Sequence, residues 1–317
     1  MHTGDLTDII GKTPLVKIRS VSEETGCEIW GKCEFLAPGG SVKDRAALGI
    51  ILDAEKRGLL NPGWTIYEGT AGNTGIGLAM VAGARGYKCH VVVPDNQAAE
   101  KYQALEAFGA TVTKVPPTTF ASDAHFYHQA RRLAESDPQG FWANQFENLA
   151  NQEIHFNTTG PEIWQQTQGR ITHFCAAAGT GGTIAGVSRY LKSQNSGVKC
   201  WLVDPMGSGL YHYIKHGEIK AEGSSVTEGI GIMRLTANFK AALIDNAIRI
   251  EDGPMFEMLK RLAHHDGLLV GPSAALNVEA ARQIGLQHKG QGKVIVTILC
   301  DSGLRYLSKL RSLGVWI

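Results

Sequence analysis

The chain has 317 residues, with 31 Lys and Arg against 30 Asp and Glu for a formal net charge of +1. That balance excludes a nucleic-acid binder that relies on a strong positive field, and 43% hydrophobic residues suffice for a large core instead of a disordered chain. The 38 glycines exceed the ~7% of ordinary proteins without a collagen period, so many tight turns and close backbone approaches are expected.

In chain order, hydrophobic periodicity predicts a helix over 42–57, a strand over 65–68, a helix over 73–85 and a strand over 89–94. A helix over 97–108, a strand over 111–115 and a helix over 121–135 follow. The second half predicts strands over 173–178, 199–204 and 293–300, and helices over 182–193, 254–265 and 274–283. The run Val-Ile-Val-Thr-Ile-Leu in the last strand is apolar on both faces, as in a strand covered on both sides. Such alternation implies an α/β fold with parallel sheets. A weak duplication, in which each half has a strand ending in a Gly/Thr turn, suggests two domains, 1–150 and 151–317. Cys27, Cys33, Cys89, Cys175, Cys200 and Cys300 show no C-x-x-C spacing, so buried free thiols are expected instead of disulfides or a metal site. The first residues carry no signal-peptide pattern, and no window is apolar enough for a membrane helix; a soluble, cytoplasmic protein is expected.

Three local motifs carry chemistry. Gly179-Thr180-Gly181-Gly182-Thr183 ends a strand and opens a helix, where converging N–H groups and the helix dipole suit a phosphate; the same glycines also suit a turn that only packs tightly. A dinucleotide site using Gly179, Gly181 and Asp204 is the competitor, but Ile184 stands where that fingerprint needs Gly or Ala. Thr70-Ala71-Gly72-Asn73-Thr74-Gly75 has the same architecture and suits a carboxylate or ring hydroxyl, or serves as a plain helix cap. Lys43, in Gly39-Gly40-Ser41-Val42-Lys43-Asp44-Arg45, lies at a helix start, where the dipole favours a neutral amine of Schiff-base type. The alternative is a surface lysine in an Asp/Arg charge cluster. The His264-His265-Asp266 run reads as a solvated helix end.

Together these motifs resemble the cysteine synthase (O-acetylserine sulfhydrylase) and cystathionine β-synthase family, whose members use pyridoxal 5′-phosphate. The segments Asn157–Trp164, Glu228-Gly229-Ile230-Gly231 and Asp301–Tyr306 match in the same order, and the resemblance runs from Ile10 to Tyr306. It implies fold type II, the tryptophan synthase β-like architecture: two domains, each with a twisted, mostly parallel sheet flanked by helices, with residues 13–34 crossing over to the second. By resemblance, Lys43 is the catalytic lysine that carries the cofactor and later takes the substrate α-proton. Asn73 binds the ring hydroxyl, Gly179, Thr180, Gly181, Gly182 and Thr183 the phosphate, and Ser273 the pyridine nitrogen. Thr70, Ala71, Gly72, Thr74, Gln145 and Gly229 are the implied substrate residues.

The implied reaction is β-replacement of O-acetylserine by sulfide through an aminoacrylate to give L-cysteine and acetate. Alternatives are cysteine desulfhydration to sulfide, pyruvate and ammonia, or another β-replacement such as cystathionine synthesis; a nicotinamide-dependent dehydrogenase and a non-catalytic binding protein rank lower. A homodimer and serine acetyltransferase as a partner are implied too. Three departures bear on the direction of the sulfur chemistry. Ala71 replaces the usual Ser, Leu304 replaces an acidic residue, and the Phe-Ile-Pro ending after Gly231 is missing, which resembles the branch that includes desulfhydrases.

Overall fold

A computed structural model describes residues 4–70 and 72–315. Its strands are β1 (Leu15–Lys17), β2 (Glu28–Cys33), β3 (Thr65–Gly69), β4 (Lys88–Pro94), β5 (Thr111–Val115), β6 (Gly140–Trp142), β7 (His173–Ala177), β8 (Lys199–Pro205), β9 (Asn246–Ile250) and β10 (Val294–Leu299). The larger sheet has the order β1-β2-β10-β7-β8-β9 and the smaller β5-β4-β3-β6. All neighbouring strands are parallel except β1 and β2. The α/β class is as expected, with one sheet mixed and the other wholly parallel. The chain enters the larger sheet with β1 and β2, builds the smaller one with β3 to β6, and returns with β7.

The six strands predicted from apolar runs are present; β1, β2, β6 and β9 escape that reading. β1 and β6 are only three residues long. β2 carries Gly31, where a Cβ would lie 2.7 Å from Leu299 Cδ1, and a fully buried Lys32. Neither residue belongs to the usual strand alphabet. The helix expected over 121–135 starts only at Phe126, where the His125 ring accepts from the Tyr127 N–H. A continuous helical stretch from Ala150 to Gln166 also went unforeseen, because its middle, His155–Thr159, is a π-turn followed by Gly160 and Pro161. Such turns are rare and gather at functional sites.

β10 shows how the larger sheet is covered. Val296 and Ile298 face a cluster containing Ile184, Val187 and Leu191 from the Gly182–Gln194 helix. Ile295 and Leu299, one step out of phase, face Leu259, Leu262 and Val278 on the other side. The two-residue period therefore divides one apolar run between two cores.

The Lys43–Lys56 helix is tied down by buried charge. Arg45 is 1% exposed and forks onto Glu34, with Nε to Oε2 at 2.8 Å and Nη2 to Oε1 at 2.8 Å. It also reaches Glu162 at 2.7 and 2.8 Å. Lys32 Nζ lies 2.6 Å from Glu162 Oε2 and donates to the Thr13 carbonyl at 2.5 Å. Burial alone would raise the Glu162 carboxyl, but hydrogen bonds from Arg45 and Lys32 hold it at about 2. The helix start is pinned as well, since the Val42 N–H donates to the Cys300 carbonyl at 2.8 Å.

Removing one member strands its partners' charges in the interior, so Arg45→Met is expected to destabilise the protein by about 3–5 kcal/mol in urea unfolding. Glu162 has a depressed pKa, so its contribution is present above the unfolded value of 4.5 and fades as pH falls towards about 2. The Tm difference between wild type and Glu162→Gln should shrink over that interval.

Candidate active site

A cavity of about 210 Å³ opens between the two sheets, at the carboxyl ends of β3, β7 and β10, where ligands sit in open parallel sheets. Its wall brings together Lys43, Thr70, Gly72, Asn73, Thr74, Gln145, Gly179, Thr180, Gly181, Thr183, Gly229 and Ser273. Gly182 stands just behind, as the first residue of the Gly182–Gln194 helix. Ala71 lies outside the described residues.

Lys43 is the first residue of its helix, and its amine makes no hydrogen bond or ion pair among the described residues. Burial pushes its pKa below the ordinary lysine value. The surface-lysine alternative fails, because Asp44 and Arg45 beside it are 0% and 1% exposed. Asp44 instead accepts from the Gly39 N–H at 2.6 Å and fixes the turn before the lysine.

The Gly/Thr turn has little freedom. Gly181 has φ of 86°, and a Cβ there would lie 2.6 Å from the Phe239 backbone; at Gly179 it would lie 2.1 Å from the Gly229 carbonyl oxygen. Thr180 Oγ1 accepts from Asn151 Nδ2 at 2.9 Å, and Thr183 Oγ1 sits 3.2 Å from His155 Nε2. His155 is kept neutral by burial, reinforced by the nearby Arg45 and Lys43 charges, and its other ring nitrogen meets Thr159 Oγ1 at 2.8 Å. The N–H groups of Thr183 and Ile184, in the first turn, have no carbonyl to meet within their helix.

Asn73 is clamped from behind. Its Nδ2 donates to Asp301 Oδ2 at 2.6 Å, and its Oδ1 accepts from Arg305 at 2.7 Å. Tyr306 donates to the same Asp301 oxygen at 2.6 Å, and Arg305 also donates to the Gly39 carbonyl. Opposite, Thr74 donates to Gln145 Oε1 at 2.6 Å. Ser273 lies in the first turn of the Pro272–Gln287 helix, close to the Cys300 thiol, which burial pushes up to about 11.

The cofactor implied by the resemblance fits this wall. It needs an unpaired amine, anion-binding N–H groups and a neutral hydroxyl around one space, and Lys43, the Gly179–Thr183 turn and Ser273 supply them. Gly229, with φ of 75°, also lines the cavity, and a Cβ there would meet nothing within 4 Å.

Lys101 was not read from the sequence, and Glu228 only as a member of its matching segment. Lys101 and Glu228 form a 2.5 Å ion pair at the cavity, and Lys309 completes a triad on Glu228. Lys101 also lies 4.7 Å from the Tyr306 ring centroid. Phe126 and Phe146 add an apolar wall. Arg234 stacks on Phe146 at 4.9 Å and pairs with Glu147. No local signal marks Lys101, which reads as an ordinary helix lysine. Asp204 is corrected in the other direction: it is fully buried away from the cavity and accepts from the Tyr211 N–H at 2.7 Å, so it is no ribose ligand. His264 and His265 lie exposed at the end of the Asp252–Asp266 helix, as read.

Residues 6–301 match the family described as "Pyridoxal-phosphate dependent enzyme". Cysteine synthase 1 of Neurospora crassa is 50% identical over 312 residues, covering 97% of this chain and 83% of that protein. The crystal structure of an O-ureido-L-serine synthase matches with a TM-score of 0.91 at 34% identity, over 100% of this chain and 97% of its own. The O-acetylserine dependent cystathionine beta-synthase from Helicobacter pylori gives a TM-score of 0.88 at 36% identity over 100% of both chains.

Because Gly181 combines positive φ with a backbone clash at any Cβ, Gly181→Ala is expected to weaken pyridoxal phosphate uptake about tenfold or more. Absorbance of the reconstituted protein during cofactor titration measures this.

Proposed function

The chain belongs to the family of pyridoxal-phosphate dependent enzymes, and on that footing we propose that it is a cysteine synthase, replacing the acetoxy group of O-acetylserine by sulfide to give L-cysteine and acetate. The observation that carries the reading is the half-buried, unpartnered Lys43 amine facing the same cavity as the Gly179–Thr183 turn. Its 50% identity to a cysteine synthase over almost the whole chain supports the choice of reaction.

When bound, pyridoxal 5′-phosphate supplies an electron sink for the pair left at the amino acid's α-carbon. Lys43 would hold it through Nζ. The same nitrogen, once released, takes the proton from the α-carbon, and the burial that lowers its pKa suits it to that task. The backbone of Gly179 to Thr183, with the Thr180 and Thr183 hydroxyls, would receive the phosphate. Asn73 has one amide hydrogen left after Asp301 to offer the ring hydroxyl. Ser273 would offer the pyridine nitrogen a neutral hydroxyl, which would leave the ring a moderate sink and favour loss of a β-substituent. Thr70, Thr74 and Gln145 would hold the substrate carboxylate, with Gly72 and Gly229 lining the same cavity.

Cysteine desulfhydration is the second reading, favoured by the segment after Gly231. There Arg234 is bound to Glu147 and Phe146 in place of the Phe-Ile-Pro ending. A homodimer, a serine acetyltransferase partner and a cytoplasmic location belong to the same proposal; no helix among the described residues is long and apolar enough to cross a membrane.

Purified protein should be yellow, form cysteine from O-acetylserine and sulfide, and release little pyruvate from cysteine alone. Net pyruvate formation from cysteine without synthesis would reverse the ranking. Lys43→Ala should lower kcat about 10³-fold or more, and borohydride reduction should leave the label on the peptide containing Lys43.

A further inference from the structure

Beneath the cavity floor lies a carboxyl group that the reaction above does not use. Glu68, at the end of β3, is 0% exposed, and no cation pairs with it among the described residues. Its one side-chain partner is Gln145 among the described residues. Gln145 donates to it from Nε2 at 3.0 Å and from its backbone N–H at 3.3 Å. The Asn144 and Gly69 N–H groups add to this. Asn144 sits in the left-handed region at φ of 48°, a turn that aims successive N–H groups at the carboxyl.

The Gln145 amide has the direction that an ionised Glu68 requires: a carboxylate can only accept, so while the group is ionised the NH₂ end faces Glu68 and the oxygen faces the cavity side. The oxygen there takes the Thr74 hydroxyl at 2.6 Å, and the second amide hydrogen points towards the Gly69 carbonyl at 3.5 Å. So oriented, neither Gln145 nor Thr74 has a hydrogen to offer a substrate carboxylate. Turning the amide end over supplies both, because its NH₂ then faces Thr74 and the cavity and the Thr74 hydroxyl is released. The turned amide presents its oxygen to Glu68, and two acceptors facing each other in a buried site are costly unless one carries a proton.

We propose that Glu68 is a positioning residue that carries a proton in the substrate-bound enzyme, donates it in a hydrogen bond to Gln145 Oε1, and thereby turns the amide N–H towards the amino acid's carboxylate. The proposal rests on the assignment of Gln145 and Thr74 to the substrate carboxylate. The proton is taken from solvent on binding when Glu68 starts ionised. Burial pushes Glu68 up to about 8, so proton uptake on binding is confined to the alkaline side of the pH range, where the group is ionised before substrate arrives. The titratable groups packed around it are Cys89 from β4, pushed up to about 12 by burial, and Tyr127 from the Phe126–Ser136 helix, also raised by burial. Neither brings a positive charge.

The test titrates holoenzyme with L-serine, following the bound cofactor's absorbance from pH 6.5 to 9.5 in the wild type, Glu68→Gln and Glu68→Met. Above about pH 8 the wild-type Kd should rise by up to about tenfold per pH unit more than that of Glu68→Gln, the linkage of one proton. Glu68→Gln, whose amide can donate without titrating, should bind within about threefold of wild type at pH 7. Glu68→Met should bind about tenfold or more weakly at every pH, with the cofactor still loaded. Titration of the substrate amine, Lys43 and Tyr127 is common to all three proteins and cancels in the comparison. Identical pH profiles for wild type and Glu68→Gln, or wild-type affinity in Glu68→Met, would overturn the proposal. Turnover of O-acetylserine with sulfide, scored separately, reports on the cysteine synthase reading and not on Glu68.

Discussion

Glu34, Arg45, Glu162 and Lys32 meet almost out of reach of water, and the helix they hold carries Lys43 two residues from the guanidinium. A fully bonded buried charge cluster resists small displacements, because any misplaced member forfeits hydrogen bonds that no solvent replaces. The Lys43 amine therefore needs no contacts of its own to be placed. Its backbone is registered from one side by Arg45 and from the other by the bond between Val42 and Cys300. This leaves Nζ unpaired and available, which a salt bridge to the lysine itself would have prevented.

The same economy governs the rest of the cavity. Charges near it are paired with one another: Lys101 with Glu228, and Arg305 behind Asn73 near Asp301. What remains facing the cavity is neutral, namely hydroxyls, amides and backbone N–H groups, together with the unpaired lysine. In a small desolvated space such groups can bind anions without adding fixed charges beside the Lys43 nitrogen. His155, neutral and bonded at both ring nitrogens, extends this pattern beneath the Gly/Thr turn.

The two sides of the site are mechanically connected. The Gln145 carbonyl accepts from Asn151 Nδ2 at 2.8 Å, and Asn151 also donates to Thr180 at 2.9 Å. Asn238 bonds the same Gln145 carbonyl at 3.0 Å. Gln145 thus shares partners with the Gly179–Thr183 turn. The glycines of that turn are required by neighbours that leave no room for a Cβ, Phe239 at Gly181 and Asn151 at Gly182.

Features that depend on contiguous residues were legible in the sequence alone. The buried strands announce themselves by unbroken apolar runs. The Gly/Thr turns and the Gly-Gly-Ser-Val-Lys stretch do so because backbone geometry and anion binding are local properties of a few successive residues. Short strands such as β6, the π-turn at His155–Thr159 and the alternative role considered for Asp204 were decided otherwise, since their surroundings come from other parts of the chain. The same holds for the pairs that tune the site. Glu68 and Gln145 are 77 positions apart, Lys101 and Glu228 127, and Arg45 and Glu162 117. Each looks like an ordinary polar residue until folding removes the water around it. Only then does desolvation turn a commonplace carboxyl or amine into a group whose charge and direction its partner must determine.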